Sequence, residues 1–143
     1  MSRGVRLVAD CLITDVEKQK FDLIACPGGL MGAENLRDCP TLIAMLKGQK
    51  SSKRLFAAIC ASPAVVLHAH GLLEGLDAVG YPTFQESLDF PNTLCERVKH
   101  SENCVTSQAP GTSFEFALYL VELMYGREKA LELKKAMLIT NYQ

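Results

Sequence analysis

The chain has 143 residues, with 15 lysines and arginines against 16 aspartates and glutamates, a formal charge of −1. That balance excludes a protein that holds nucleic acid by neutralising phosphates, and no nucleic-acid-binding patch is expected. An apolar share of 48% beside 22% charged residues excludes wholesale disorder and describes one globular domain over 1–143.

Taken in chain order, MSRGVRLVAD meets Asp10 before any signal-type apolar stretch develops, so the expected compartment is the cytoplasm. Val5 to Ala9 and Phe21 to Cys26 read as buried strands, the second stopping at Pro27-Gly28-Gly29. Asp38 or Cys39 caps a helix with Pro40 in its first turn and Leu42, Ile43 and Leu46 on one face. That helix is expected to decay into KGQKSSKR, a solvated basic turn. Leu55 to Ile59 is a third buried strand, and Pro63 to His70 a short helix stopped by Gly71. The stretch Leu55 to Leu67 is the nearest approach to a membrane span, but Ser62 and Pro63 interrupt it and it falls short of the roughly 18 apolar residues needed. Ala78 to Gly80 reads as a brief strand, followed by a loop and helix region from Pro82 to Phe90. Leu94 to Val98 and Cys104 to Ser107 read as two more strands with a polar turn between them. Ser113 to Tyr125 is the clearest helix, opened by a capping box of Thr112 and Glu115 and apolar almost all round, for the core or for a partner subunit. Gly126 ends it, and Arg127 to Met137 forms a last amphipathic helix. Strands alternating with helices in this way predict an α/β fold with a mostly parallel sheet.

Six cysteines, at 11, 26, 39, 60, 95 and 104, form no C-x-x-C pair, and neither a disulfide framework nor a zinc site is expected. His68 and His70 read as a polar helix end. Most of the cysteines should be small buried apolar residues. Cys60 differs, because it follows an apolar strand and precedes a short helix, with small Ala58 and Ser62 two places to either side. A sharp nucleophile elbow requires that pattern, since bulky neighbours collide at the turn. The elbow presents its side chain at the carboxyl ends of the strands, beside a helix N-terminus whose free N–H groups favour negative charge. The alternative is a buried structural cysteine at a strand–helix junction. Pro27-Gly28-Gly29 adds backbone N–H groups that, with the N–H of Ala61, could hold an oxyanion beside the sulfur; otherwise it is a plain turn.

Together DLIACPGGLMGAENLRD, AAICASPAVVL, GYPTF and TSQAPGTSFEFAL resemble the ThiJ/PfpI family, in its subgroup of the parkinsonism-associated protein deglycase and YajL. The resemblance implies a flavodoxin-like three-layer sandwich, a homodimer, and Cys60 as a nucleophile and oxidation sensor. It makes Gly28, Gly29 and Ala61 the backbone donors, and it puts Tyr81 where some relatives carry a histidine. It implies cofactor-free, metal-free conversion of methylglyoxal to lactate, or repair of early glycation adducts, so the expected partners are a small 2-oxoaldehyde or a glycated protein. Arg3 matches an arginine near the partner's cysteine pocket in relatives, or is simply a solvated residue. Relatives begin with a further strand–helix–strand unit carrying a glutamate that bonds the cysteine sulfur. No residue here matches that glutamate, so the chain reads as incomplete at its N-terminus, with impaired turnover. The alternative function is a redox-sensing, chaperone-like stress protein switched by Cys60 oxidation.

Overall fold

Parallel strands buried on both faces demand unbroken apolar runs, and LFAAI supplies one. LIAC is equally apolar, but its strand ends the sheet order and of its four residues only Cys26 is buried, so the expectation of a buried strand there holds only in part. In the computed structural model, residues 6–85 and 96–140 are described. In chain order they form α1 (Ile13–Val16), β1 (Leu23–Cys26), α2 (Leu30–Arg37), α3 (Pro40–Ser51), β2 (Leu55–Ile59), α4 (Pro82–Gln85), β3 (Val98–Ser101), β4 (Cys104–Ser107), α5 (Ser113–Tyr125) and α6 (Arg127–Ala136). Irregular helical turns occupy Pro63–Leu67 and His68–His70. The sheet order is β1-β2-β4-β3, parallel throughout except for the antiparallel β3–β4 hairpin. Helices cover both faces, which gives the flavodoxin-like α/β sandwich expected from the sequence.

On one face Cys26, Phe56, Ala58 and Cys104 pack with Ala33 of α2, Leu42, Ile43 and Leu46 of α3, and Val66 and Leu67 of the turn after β2. On the other, Ala57 and Val105 pack with Phe116 and Leu120 of α5. Leu118 on a second side of α5 meets Ala130 of α6. Helix α5 is therefore packed on two sides rather than nearly all round, and Phe114 and Tyr125 stand 59% and 70% exposed.

The basic turn expected after Leu46 is instead more helix, because α3 runs on to Ser51. The reason is Gln49, one turn beyond Leu46 and buried on the same face. Its Nε2 donates to the carbonyls of Phe21 (3.0 Å) and Leu55 (2.8 Å), tying the helix to the segments that lead into β1 and β2. Gln49→Ala removes both bonds and leaves a void, so it should cost about 2–3 kcal/mol. The check is a lower urea midpoint with an unchanged slope.

Other departures have local causes. Residues 6–9 form no strand; Leu7 and Val8 are 71% and 96% exposed, with no neighbouring strand to complete a ladder, and Val5 lies outside the described residues. Ala78 to Gly80 is buried but makes no ladder, and Val79 N–H donates to the Thr106 hydroxyl instead. Of the segment Leu94 to Val98, Leu94 and Cys95 lie outside the described residues, and the strand begins only at Val98. The expected polar turn is largely β3 itself, an edge strand whose Lys99 pairs with Glu96 at 2.8 Å and whose His100 Nδ1 meets the Tyr119 hydroxyl at 3.1 Å. Polar side chains suit an edge. The region from Pro82 keeps one helical turn, α4; residues 86–90 lie outside the described residues.

The capping box at α5 does not form. The Thr112 hydroxyl instead meets Ser107 Oγ at 2.7 Å and accepts the Ala109 N–H at 3.1 Å. Glu115 turns to Arg97, whose Nε lies 2.6 Å from its carboxylate. That contact and its charge push the Arg97 guanidinium pKa up from the ordinary range. Among the described residues no helix is long and apolar enough to cross a membrane.

Candidate active site

Strand β2 ends at Ile59, and the next residue turns the chain sharply. Cys60 has φ +67°, the left-handed region that a non-glycine residue enters at a cost of about 1–3 kcal/mol. Both of its backbone polar groups are held: the N–H donates to the Ser107 carbonyl at 3.0 Å, and the carbonyl accepts the Tyr81 N–H at 2.8 Å. Ser62, wholly buried, donates its hydroxyl to the Pro27 carbonyl. The elbow is thus fastened to the ends of β1 and β4 and to the segment before α4.

Gly28 lies against it. A Cβ at Gly28 would stand 2.4 Å from Cys60 Cβ and 3.1 Å from Sγ, so only glycine permits this approach of the two turns. Gly29, with φ +87°, precedes the first residue of α2, and a Cβ there would meet open space. Ala61 is 2% exposed, and its carbonyl accepts the Val65 N–H at 2.9 Å. Tyr81 is 39% exposed, with its ring centroid 6.3 Å from that of Phe84. The fold therefore brings Gly28, Ala61 and Tyr81 to Cys60, with Gly29 at the head of the adjoining helix. Arg3 lies outside the described residues.

The described cysteines are all free thiols, in contrasting settings. Cys26 and Cys104 are buried, and desolvation pushes their pKa values up to about 11 and about 12. Both are held as inert neutral thiols at neutral pH. Cys60 and Cys39 are half-buried and Cys11 is exposed, so the expectation of burial holds for Cys26 and Cys104 but fails for Cys11; Cys95 lies outside the described residues. His70 Nε2 sits 2.9 Å from the Arg37 carbonyl, and no cluster of three or more His, Cys, Asp or Glu among the described residues could hold a metal ion. Two open clefts of about 490 and 430 Å³ are not lined by Cys60.

Sequence patterns overlooked three participants. Ser62 was legible only as a small neighbour, whereas its hydroxyl ties the elbow to Pro27. Thr106 and Ser107 carried no signal beyond strand character, yet each accepts an N–H from the loops that frame the sulfur. What the arrangement offers is a thiol on a fixed turn, with glycine backbone packed against it. Such a site suits addition of sulfur to a carbonyl carbon.

The chain is similar along almost its full length to proteins from distant organisms. Protein DJ-1 homolog B of Arabidopsis thaliana is 49% identical over 138 residues, which are 96% of this chain and 32% of that protein. The chain thus spans about a third of the length of that relative. The glutathione-independent glyoxalase DJR-1.2 of Caenorhabditis elegans is 38% identical over 137 residues, covering 95% of this chain and 73% of the relative. Among solved structures, oxidized DJ-1 of Toxoplasma gondii superposes with a TM-score of 0.91 at 48% identity, over 99% of this chain and 77% of that one. The DJ-1/PfpI family model matches residues 1–123, a span that contains Gly28, Gly29, Cys60 and Tyr81; the chain belongs to the DJ-1/PfpI family.

Proposed function

We propose that the protein is a cysteine-dependent, cofactor-free glyoxalase or deglycase acting on methylglyoxal or early glycation adducts. One observation carries the reading: Cys60 is held left-handed at the end of β2 with Gly28 packed against its sulfur. The similarity to a relative named as a glutathione-independent glyoxalase supports it. In this mechanism the Cys60 thiolate adds to the aldehyde carbon of the 2-oxoaldehyde, giving a hemithioacetal whose oxyanion the N–H groups of Gly28, Gly29 and Ala61 hold. A proton then moves from the former aldehyde carbon to the neighbouring carbonyl carbon, converting the adduct to a 2-hydroxy thioester. Water hydrolyses the thioester, releasing lactate and the free thiol. The net change is addition of one water, with oxidation at one carbon matched by reduction at the next. Tyr81 is the candidate to carry the proton. A homodimer belongs to the same reading.

Cys60→Ser tests the proposal. Lactate formation from methylglyoxal should fall at least about a hundredfold, because a hydroxyl is a far weaker nucleophile at neutral pH, while the urea midpoint stays near that of the wild type. Retained turnover in Cys60→Ser would sink the proposal.

A second reading has its own support, because the Toxoplasma structure is of an oxidized form. Cys60 would then act as a redox switch for a chaperone-like stress protein. Intact mass after graded peroxide should show a selective gain of two oxygens, the sulfinate, that is lost in Cys60→Ser. Peroxide-activated holdase activity that is lost in Cys60→Ser would support the switch, and activation that survives in Cys60→Ser would overturn it.

A further inference from the structure

Residues 77–81 run along the sheet without joining a ladder, and alternate amides are captured one by one. Asp77 N–H donates to Ser101 Oγ at 3.2 Å, Val79 N–H to Thr106 Oγ1 at 2.9 Å, and Tyr81 N–H to the Cys60 carbonyl at 2.8 Å. The acceptors are the end of β3, the body of β4 and the elbow, so the segment is a strap leading to the sulfur. Ala78 and Val79 are completely buried. Without the Thr106 hydroxyl, the Val79 N–H would have no water to turn to.

Thr106 is itself buried, and its register neighbours are Ala58 in β2 and Lys99 in β3. Valine would satisfy β-propensity and volume there equally well. The hydroxyl is the part that the strand does not need and the strap does. The next residue, Ser107, takes the Cys60 N–H on its carbonyl. Two consecutive residues of β4 therefore hold both sides of Cys60, one directly and one through the strap.

We infer that Thr106 is a positioning residue for this site: its hydroxyl fixes the strap that sets Tyr81 and the Cys60 carbonyl in place. The inference deepens the proposed Cys60 chemistry and rests on it only for its kinetic consequence.

Thr106→Val keeps the shape and deletes the acceptor; Thr106→Ser restores the acceptor. In native-state hydrogen exchange, the Val79 and Tyr81 amides should exchange about tenfold faster or more in Thr106→Val, while β2 amides such as Phe56 change less than about twofold. With methylglyoxal as the probe, kcat should fall about fivefold with KM within about twofold, since the strap places Tyr81, the candidate proton carrier, for the chemical step. Thr106→Ser should return both readouts to wild-type values. Unchanged exchange at Val79 and Tyr81, or acceleration spread evenly over the sheet, would overturn the positioning role. Faster exchange with an unchanged kcat would overturn the link from strap to Tyr81. A wild-type protein inert toward methylglyoxal would refute the glyoxalase reading instead, and the exchange measurement would still decide the role of Thr106.

Discussion

Replacing Gly28 with alanine should disable Cys60 and destabilise the fold together. The added methyl carbon would stand 2.4 Å from Cys60 Cβ and 3.1 Å from its Sγ, and the Ile59 carbonyl oxygen lies 3.0 Å away. Neither that Cβ nor the carbonyl oxygen is the far end of a flexible chain that could swing aside. One turn must move, and both are fastened, the elbow by Ser107 and Tyr81 and the glycine turn by Ser62. Overpacking against fixed backbone costs about 1–3 kcal/mol, and this contact belongs at the top of that range. Alkylation of Cys60, followed by mass, should slow about tenfold or more as the sulfur is displaced. Gly29→Ala is the matched control. Its φ of +87° with ψ 119° lies outside even the left-handed helical region, so alanine there costs about 1–3 kcal/mol of backbone strain, but no atom lies within 4 Å of the new carbon. It should lower the urea midpoint through backbone strain alone and leave the Cys60 rate unchanged. Equal Cys60 rates in wild type and Gly28→Ala would contradict the contact.

A second large effect is expected in alkali. Burial raises the thiols of Cys26 and Cys104 from an ordinary 9.0 to about 11 and about 12. The folded protein therefore holds these two protons more tightly than the unfolded chain. Their stabilising contribution is complete below about pH 9 and is lost as pH climbs through the folded-state values. With each unit worth about 1.4 kcal/mol, the two thiols together should withdraw several kcal/mol across that interval. Urea midpoints measured from about pH 8 upward should fall steeply in the wild type. In Cys26→Ala/Cys104→Ala the starting stability is lower, because two packed side chains are truncated, but the fall should be shallower. Parallel slopes in the two proteins would show that these thiols do not control the alkaline limb.

The sequence made most of this architecture legible where burial on both faces forced a run of one character. LFAAI had to be a strand, and Pro40 with Leu42, Ile43 and Leu46 had to be a helix, since local propensity and tertiary need agree there; LIAC was read correctly from its apolar run although only Cys26 of it is buried. Legibility failed where the two diverge. Helix α2 was missed because LMGAENLR contributes only Ala33 to the fully buried core and so carries no apolar stripe. Strand β3 was displaced because VKHS sits at the edge, where polar side chains reach solvent or the residues around them. The residues 6–9 looked like a strand because LVA is apolar, but pairing is a property of neighbours and not of composition. At the candidate site, the elbow and its glycines could be read from small residues flanking a cysteine. The hydroxyls of Ser62, Thr106 and Thr112 could not, because a hydroxyl group in sequence does not declare which distant backbone group it will meet.

The ties that hold Cys60 in its turn also decide when the site comes into being. Ser62 reaches a carbonyl 35 residues away, and Val79 reaches a hydroxyl 27 residues away. The β3–β4 hairpin, by contrast, closes over neighbouring residues, with Ser101 opposite Cys104. Hairpins close in microseconds, whereas contacts of long sequence separation wait for loop entropy to be overcome. The hairpin can form early; the elbow cannot be set until β1, β2 and β4 have docked. A nascent or partly folded chain thus carries Cys60 without these ties, and the left-handed turn around it is a late product of folding. The packed turn around that one sulfur is therefore among the last features that folding completes.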